Sequence, residues 1–196
     1  MKKGERRKLE LLQIAYRLFL TRGYENTSVD EIIEEAGIAK GTYYYYFQSK
    51  EQMLEEVIGM MIDKEIEAAR QILRSESDLP QKFIGIIASI RPAQEETPIS
   101  NTLNQPENIL MHRKIQRRII DAVIPLLTEA VEDGVKNGIF CCDDIPERVK
   151  MLLIVSSELF DEGRYTDRDI AVFIDMAEKL LGAEAGTMSF IQKLIR

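Results

Sequence analysis

Apolar residues recur at helical spacing along almost the whole chain, and this pattern constrains the fold more than any other feature. In residues 9–20 the apolar positions are Leu11, Ile14, Ala15, Leu18 and Phe19, which lie on one side of a helix. No segment alternates apolar and polar residues in the manner of a half-buried strand. We therefore predict an all-α protein with about nine helices, and 196 residues are enough to bury a sizeable core.

Capping residues and glycines divide the chain into segments. Three short helices are predicted within residues 1–48, with breaks at Gly23 and Gly37, and a longer helix opens at Ser49–Gln52. Residues 93–105 are polar and turn-rich, so we expect a loop there. The further predicted helices run from Asp78 to before Pro92, through 106–138 with a break or kink at Pro125, from Asp144 to near Gly163, and from Thr166 to near Gly182.

Charge is distributed unevenly. The chain has a net charge of −7, yet residues 1–50 carry +2 and residues 51–196 carry −9. Five of the early cations cluster at Lys2, Lys3, Arg6, Arg7 and Lys8. A basic end on an acidic body fits a local anionic partner, and it equally fits a solvated charged terminus.

Several classes of protein are disfavoured by what the sequence lacks. Its apolar start is interrupted by charged and polar residues, unlike a signal peptide, and no stretch has the roughly 18 apolar residues of a membrane span. We therefore expect a cytoplasmic protein. The single histidine, His112, and the adjacent Cys141 and Cys142 argue against zinc sites and His-based catalysis. With no phosphate-binding glycine motif, we predict no catalytic residue, metal or cofactor.

Residues 27–50, with the sequence TSVDEIIEEAGIAKGTYYYYFQSK, carry the functional signal. Ala36, Gly37 and Ile38 supply the small and apolar residues that a helix-turn-helix needs between its two short helices. Four consecutive tyrosines follow, and they cannot all be buried on a helix of two turns. Exposed tyrosines suit phosphate oxygens and thymine methyl groups. The alternative is a tyrosine-rich packing helix.

A dense set of positions over about residues 9–57 forms one pattern: Leu18-Phe19, Gly23-Tyr24, Thr27-Ser28-Val29, Ile32, Ala36 to Tyr45, Phe47, Ser49-Lys50-Glu51 and Leu54. This pattern resembles the N-terminal signature of TetR/AcrR-type transcriptional regulators. The resemblance implies a helix-turn-helix DNA-binding domain in residues 1–48, and a helical ligand-binding and dimerisation domain in residues 49–196. It also implies a homodimeric repressor that binds double-stranded operator DNA and is released by a small organic ligand.

The same resemblance implies roles for individual residues. Thr27 and Ser28 would cap the second helix and reach a phosphate, and Lys50 would hold another phosphate. Tyr43 would pack inward with Phe19, Ile33 and Phe47. The family often has histidine at position 46, where this chain has tyrosine. Lys40, Gly41, Thr42 and Tyr44 would face the major groove, with Lys40 suited to guanine, while Tyr45 and Tyr46 would contact the DNA backbone.

Two further groups of residues are predicted in the C-terminal part. The helices in 144–163 and 166–182 are more apolar than one core-facing stripe requires, which suits a four-helix dimer interface. The interface residues would be Val149, Leu152, Leu153, Ser156, Phe160, Ile170, Phe173, Ile174, Ala177 and Leu181. A ligand pocket, or else plain core, would be lined by Met60, Met61, Phe83, Ile87, Met111, His112 and Ile115. Cys141 and Cys142 are taken as incidental.

Two other functions compete with DNA binding. The first is a small-molecule enzyme, which the missing cofactor motifs and the single histidine argue against. The second is a helical protein-interaction module or a small-molecule-binding protein without DNA function. The presence of Lys40, Thr42, Tyr44 and Lys50 argues against this second alternative.

Overall fold

A computed structural model describes residues 3–160 and 165–195, and within these ranges all regular structure is helical. The prediction of an all-α fold is confirmed. Two short 3-10 turns, Gln94–Glu96 and Pro106–Asn108, flank α6. The helices are α1 Lys3–Arg22, α2 Val29–Ala36, α3 Lys40–Tyr46, α4 Lys50–Leu73, α5 Leu79–Ser89, α6 Thr97–Leu103, α7 Ile109–Lys136, α8 Ile145–Phe160, α9 Asp167–Leu181 and α10 Ile191–Ile195.

Most predicted helix starts and ends are confirmed. Asp78 caps α5, Thr166 caps α9, and Gly182 ends α9 in the left-handed conformation with φ 63°. Pro125 lies inside α7 without ending it. The predicted end of α8 near Gly163 lies outside the described residues, and α10 was not predicted.

The prediction of a loop over residues 93–105 is wrong, because α6 occupies most of that segment. The segment is polar in composition, yet it forms a short helix with one buried side, where Ile99 and Thr102 are almost inaccessible to solvent. Glu96, just before the helix, is also buried. Its carboxylate accepts hydrogen bonds from the Tyr16 hydroxyl at 2.8 Å and from the backbone N–H of Ala93 at 2.9 Å. Seven residues are too few for helical periodicity to be visible in a sequence.

The chain divides into two compact units. The first unit comprises the described residues up to Lys64 together with Pro92–Gln116, and the second comprises Glu65–Arg91 and the described residues from Arg117 onward. The sequence-based domain boundary after residue 48 falls inside the first unit. The core of the first unit includes Leu11, Ala15, Phe19, Ile32, Tyr43, Phe47, Met53, Leu54 and Val57, all fully buried.

In the second unit an aromatic cluster and a tight helix end define the packing. The Phe83 ring lies edge-on to the Phe140 ring at 6.4 Å between centroids, and 5.8 Å from the Phe190 ring. At the end of α9, a Cβ atom on Gly182 would collide with the carbonyl of Cys141. Gly182 is thus required both for its positive φ and for this close backbone approach. Across residues 3–160 and 165–195, no helix combines the length and apolar character needed to cross a membrane.

Candidate nucleic-acid interface

The corner between α1 and α2 is fixed by two hydroxyl side chains with different roles. Thr27 is buried, and its hydroxyl donates to the carbonyl oxygen of Gly23 at 2.8 Å. Ser28 caps α2: its hydroxyl accepts from Glu31 N at 3.2 Å, and the Glu31 carboxylate accepts from Ser28 N at 2.7 Å. The prediction that Thr27 also caps α2 and reaches a phosphate is therefore wrong for this structure, because its hydroxyl faces into the corner. Hydrogen bonds from Ser28 hold the pKa of Glu31 below its ordinary value.

Gly37 makes the turn that joins α2 to α3. Its φ of 60° is left-handed, and its N–H donates to the carbonyls of Glu34 and Ile33. Nothing lies within 4 Å of a Cβ built on Gly37, so the requirement for glycine is conformational rather than steric. Ile32, fully buried on α2, anchors the pair of helices. The predicted helix-turn-helix is confirmed.

Helix α3 has one face in the core and one face in solvent. Tyr43 and the following Phe47 are fully buried, with their ring centroids 5.7 Å apart. Burial raises the pKa of the Tyr43 phenol to about 12. On the opposite side, Tyr44 is 48% exposed and Tyr45 is 80% exposed. The buried rings therefore hold α3 against the first unit while two tyrosines remain available to a partner.

The start of α3 presents a cation and an open backbone. Gly41 is exposed, with nothing within 4 Å of a Cβ built on it, and Thr42 is half-buried. Lys40 Nζ lies 3.0 Å from Asp30 Oδ1, and both side chains are largely exposed. The hydrogen bond and charge of Asp30 raise the pKa of Lys40. Because solvent screens a surface pair of this kind, Asp30 holds Lys40 only weakly.

The ammonium group of Lys50, the first residue of α4, is hydrogen-bonded within the protein. Its Nζ donates to the carbonyl oxygens of Tyr24 at 2.9 Å and Thr27 at 3.1 Å. The same ammonium lies 4.1 Å from the centroid of the Tyr24 ring. The resemblance implied a phosphate contact for Lys50, whereas this geometry favours a structural link between the start of α4 and the α1–α2 corner.

The basic cluster at the N-terminus is part of α1, because that helix begins at Lys3 and not near residue 9. Lys2 lies outside the described residues. Lys3 and Arg6 are exposed, Arg7 is half-buried, and Lys8 pairs with Glu56 at 2.5 Å. Helical geometry thus places Lys3 one turn before Arg6 and Arg7. Sequence analysis missed this arrangement because the predicted helix covered only residues 9–20.

Half of the predicted dimer residues are unavailable for an interface in this structure. Val149, Ile170, Phe173, Ala177 and Leu181 are buried inside the second unit, and their assignment to the interface is corrected accordingly. Leu152, Leu153, Ser156, Phe160 and Ile174 are half-buried. Both helices carry more apolar residues than their core face requires, as the sequence predicted. The apolar residues exposed on the outer face are, however, not the ones that were predicted. The exposed residues are Met151, Ile154 and Val155 on α8 and Val172 on α9.

The residues predicted to line a ligand pocket belong to different units. Met60, Met61, Met111, His112 and Ile115 lie in the first unit, and Phe83 and Ile87 lie in the second. Met61, Ile115 and Phe83 are buried, while the other four are half-buried. Phe83 is part of the aromatic cluster with Phe140 and Phe190, which favours a core role for it.

In this helix-turn-helix, buried side chains anchor both helices, and the second helix presents polar and aromatic side chains to solvent. This arrangement is typical of a DNA-binding protein. The profile of "Bacterial regulatory proteins, tetR family" matches residues 11–57. The transcriptional repressor KstR2 of Rhodococcus jostii is 31% identical over 144 residues, which are 70% of this chain and 69% of that protein. KstR2 of Mycolicibacterium smegmatis is 32% identical over 139 residues, 65% of this chain and 66% of that protein. The chain belongs to the TetR family of bacterial regulatory proteins, and it is a DNA-binding transcriptional regulator and not an enzyme.

Solved structures support the same fold. The structure of RolR in complex with resorcinol has a TM-score of 0.64 at 20% identity, covering 96% of this chain and 94% of that chain. A TetR-family regulator from Mesorhizobium loti has a TM-score of 0.61 at 18% identity, with 98% of both chains covered. These likenesses extend beyond residues 11–57 and confirm that a helical C-terminal region follows the helix-turn-helix.

Proposed function

We propose that this chain is a homodimeric repressor that binds operator DNA through α3 and is released from it by a small organic molecule. The observation that carries the DNA-binding part is the two-sided character of α3. Tyr43 fixes one face in the core, and Tyr44 and Tyr45 stand exposed on the other. A helix held in this way can enter the major groove without rearrangement of the domain.

Contacts to DNA would be divided between bases and backbone. Lys40, Gly41, Thr42 and Tyr44 would face base edges, and Lys40 is long enough to reach the acceptors of guanine. The open space in front of Gly41 would let the start of α3 approach the groove closely. Tyr45, Tyr46 and the surface hydroxyl of Ser28 would contact phosphates, which positions the helix without reading sequence.

The experiment compares two lysines in matched surroundings. Lys136, like Lys40, is an exposed lysine whose Nζ lies 3.0 Å from an aspartate Oδ1, but it is on α7. The probe is a duplex selected by the wild-type protein from random-sequence DNA, together with a scrambled duplex. Lys40→Ala should weaken binding to the selected duplex by about 1–3 kcal/mol per half-site and relax preference at one base pair.

Lys136→Ala should leave binding to both duplexes unchanged. If Lys40→Ala behaves like Lys136→Ala, residue 40 is not part of the reading surface. If the wild-type protein selects no preferred sequence at all, the proposed function itself fails.

The homodimer would form through the outer face of α8 and α9. Met151, Ile154 and Val155 stand at i, i+3 and i+4 on α8 and are exposed, and Val172 is exposed on α9. Exposed apolar residues grouped at helical spacing mark an interaction surface. A two-fold dimer would place its two reading helices on half-sites about 34 Å apart or a multiple of that distance.

Release by a small molecule would rest on the methionine-rich helices of the first unit. Met60, Met61 and Met111 carry flexible thioethers that adapt to apolar ligands. A ligand weakens DNA binding only to the extent that it prefers the conformation that does not fit the operator. A small apolar molecule that binds the protein, shown by calorimetry, should lower its affinity for the selected duplex. Unchanged affinity at saturation would mean that the molecule is not an inducer.

We place the proposed repressor activity in the cytoplasm.

A further inference from the structure

A basic groove lies beside the C-terminal end of α3. It has a volume of about 520 Å³ and is lined by Lys3, Gly4, Arg6, Arg7 and Glu10 of α1 and by Tyr46, the last residue of α3. We propose that this groove binds a phosphodiester of the DNA backbone that borders the major groove. The inference rests on the proposed function, because it assumes that α3 enters DNA.

The tyrosine side of the groove is held in place by aromatic packing. The Tyr46 ring lies edge-on to the Tyr45 ring at 4.9 Å between centroids and is 6.3 Å from the Phe47 ring. Its hydroxyl reaches the first turn of α1, where a Cβ built on Gly4 would lie 3.7 Å from it. The phenol group therefore lies between the exposed tip of α3 and the start of α1, where its hydroxyl can donate a hydrogen bond to a partner.

The cationic side of the groove carries three positive charges against one negative charge. Glu10 lies between two guanidinium groups, with Oε2 at 2.9 Å from Arg7 Nη1 and Oε1 at 3.7 Å from Arg6 Nε. Arg7 also donates to the carbonyl oxygen of Ala36 at 3.4 Å, which ties it to the end of α2. Arg6 is 70% exposed in its side chain, and its contact with Glu10 is long.

These features together select a phosphate. A guanidinium group and an ammonium group provide charge, and a phenol group provides a directed donor, which is the combination that backbone contacts to DNA use. The residue that orders the groove, Tyr46, directly follows the exposed Tyr44 and Tyr45. A phosphate held here would lie next to the bases that α3 reads, and the contact would fix the depth and angle of α3 in the groove.

The decisive experiment is ethylation interference on the duplex selected by the wild-type protein. Each phosphate is neutralised in turn, and the positions that impair binding are mapped for the wild type, Arg6→Gln and Tyr46→Phe. Arg70→Gln is the matched control, since Arg70 is also an exposed arginine paired with a glutamate on its own helix. We expect one phosphate per half-site to stop interfering in both groove variants and the full pattern to persist in the control.

Salt dependence gives a second readout. Arg6→Gln should lower the slope of log affinity against log salt by about 0.9 for each phosphate that the protein no longer neutralises. Between 50 and 200 mM salt, that is a change of about 3.5-fold per phosphate. Glu10→Gln should instead raise the affinity for DNA, because it frees both guanidinium groups and removes a negative charge.

Two outcomes would overturn the proposal that this groove binds a phosphate, while leaving the proposed function intact. One is an interference pattern of Arg6→Gln and Tyr46→Phe identical to that of the wild type on the same selected duplex. The other is a salt slope for Arg6→Gln that equals the wild-type slope, together with no tightening of binding by Glu10→Gln. Absence of any selected duplex for the wild type would instead count against the proposed function.

Discussion

Replacing Lys50 by methionine separates a structural role from a DNA-contacting role at this position. Methionine keeps an unbranched apolar chain of similar length and a helix propensity close to that of lysine, and it has no ammonium group. In the protein that group donates to the carbonyls of Tyr24 and Thr27 and lies over the Tyr24 ring. The substitution therefore leaves two carbonyl oxygens at the α1–α2 corner without their donor.

The size of the effect follows from these interactions. Hydrogen bonds that involve a charged group contribute about 1.5–3 kcal/mol each. The cation–π contact adds about 0.5–1 kcal/mol at a partly exposed site. Removal of a cation from the first turn of a helix returns about 0.3–1 kcal/mol. Because Lys50 is half-buried, water can replace part of the missing hydrogen bonding. We expect Lys50→Met to lower the free energy of unfolding by about 2–3 kcal/mol.

Urea unfolding and DNA titration of the same preparations form the assay, with Lys40→Met as the comparison. Lys40→Met should leave the free energy of unfolding close to that of the wild type, since its pair with Asp30 is exposed. Below its unfolding transition, Lys50→Met should retain the wild-type salt slope on the selected duplex. If Lys50→Met is as stable as the wild type and its slope falls by about 0.9, then Lys50 is a phosphate contact and the structural reasoning is refuted.

Three further predictions test other parts of the structure. Val172→Glu should give a folded monomer in sedimentation experiments, whereas Phe173→Glu should unfold the second unit because Phe173 is buried; a dimeric Val172→Glu protein would move the interface elsewhere. Gly182→Ala should prevent normal packing at the end of α9, because its Cβ would collide with a backbone carbonyl, and a wild-type melting temperature would contradict this. Ser28→Ala should raise the pKa of Glu31 part of the way toward its ordinary value in an NMR titration, because it removes the side-chain hydrogen bond from Ser28 and keeps the backbone N–H bond, which is the larger cause of the lowering. The stability that this lowered pKa contributes is present above the ordinary glutamate pKa and disappears as pH falls through the folded value, so Ser28→Ala should also flatten the acid limb of the stability profile.

Local patterns in the sequence were sufficient to predict most of the helices and the helix-turn-helix. Gly37, Ser28 with Glu31, and Thr166 act through neighbours within a few residues, so their capping roles were visible in the chain itself. The burial of Tyr43 was also predicted correctly, although from the family resemblance. The short α6 was missed because the burial of one side of that helix depends on packing that seven polar-looking residues do not reveal.

Which apolar face of a helix points inward, and which partner a long cation takes, were decided only by the tertiary structure. Val149 and Met151 lie two residues apart on α8, yet one is buried and the other is 58% exposed. Lys40 and Lys50 are the same residue type at the starts of consecutive helices, yet one pairs with a surface carboxylate and the other with backbone carbonyls. Capping and periodicity are set by residues within one or two turns, so the sequence determines them. Burial and the partners of a flexible side chain depend on groups that are distant along the chain, and only folding brings those groups together.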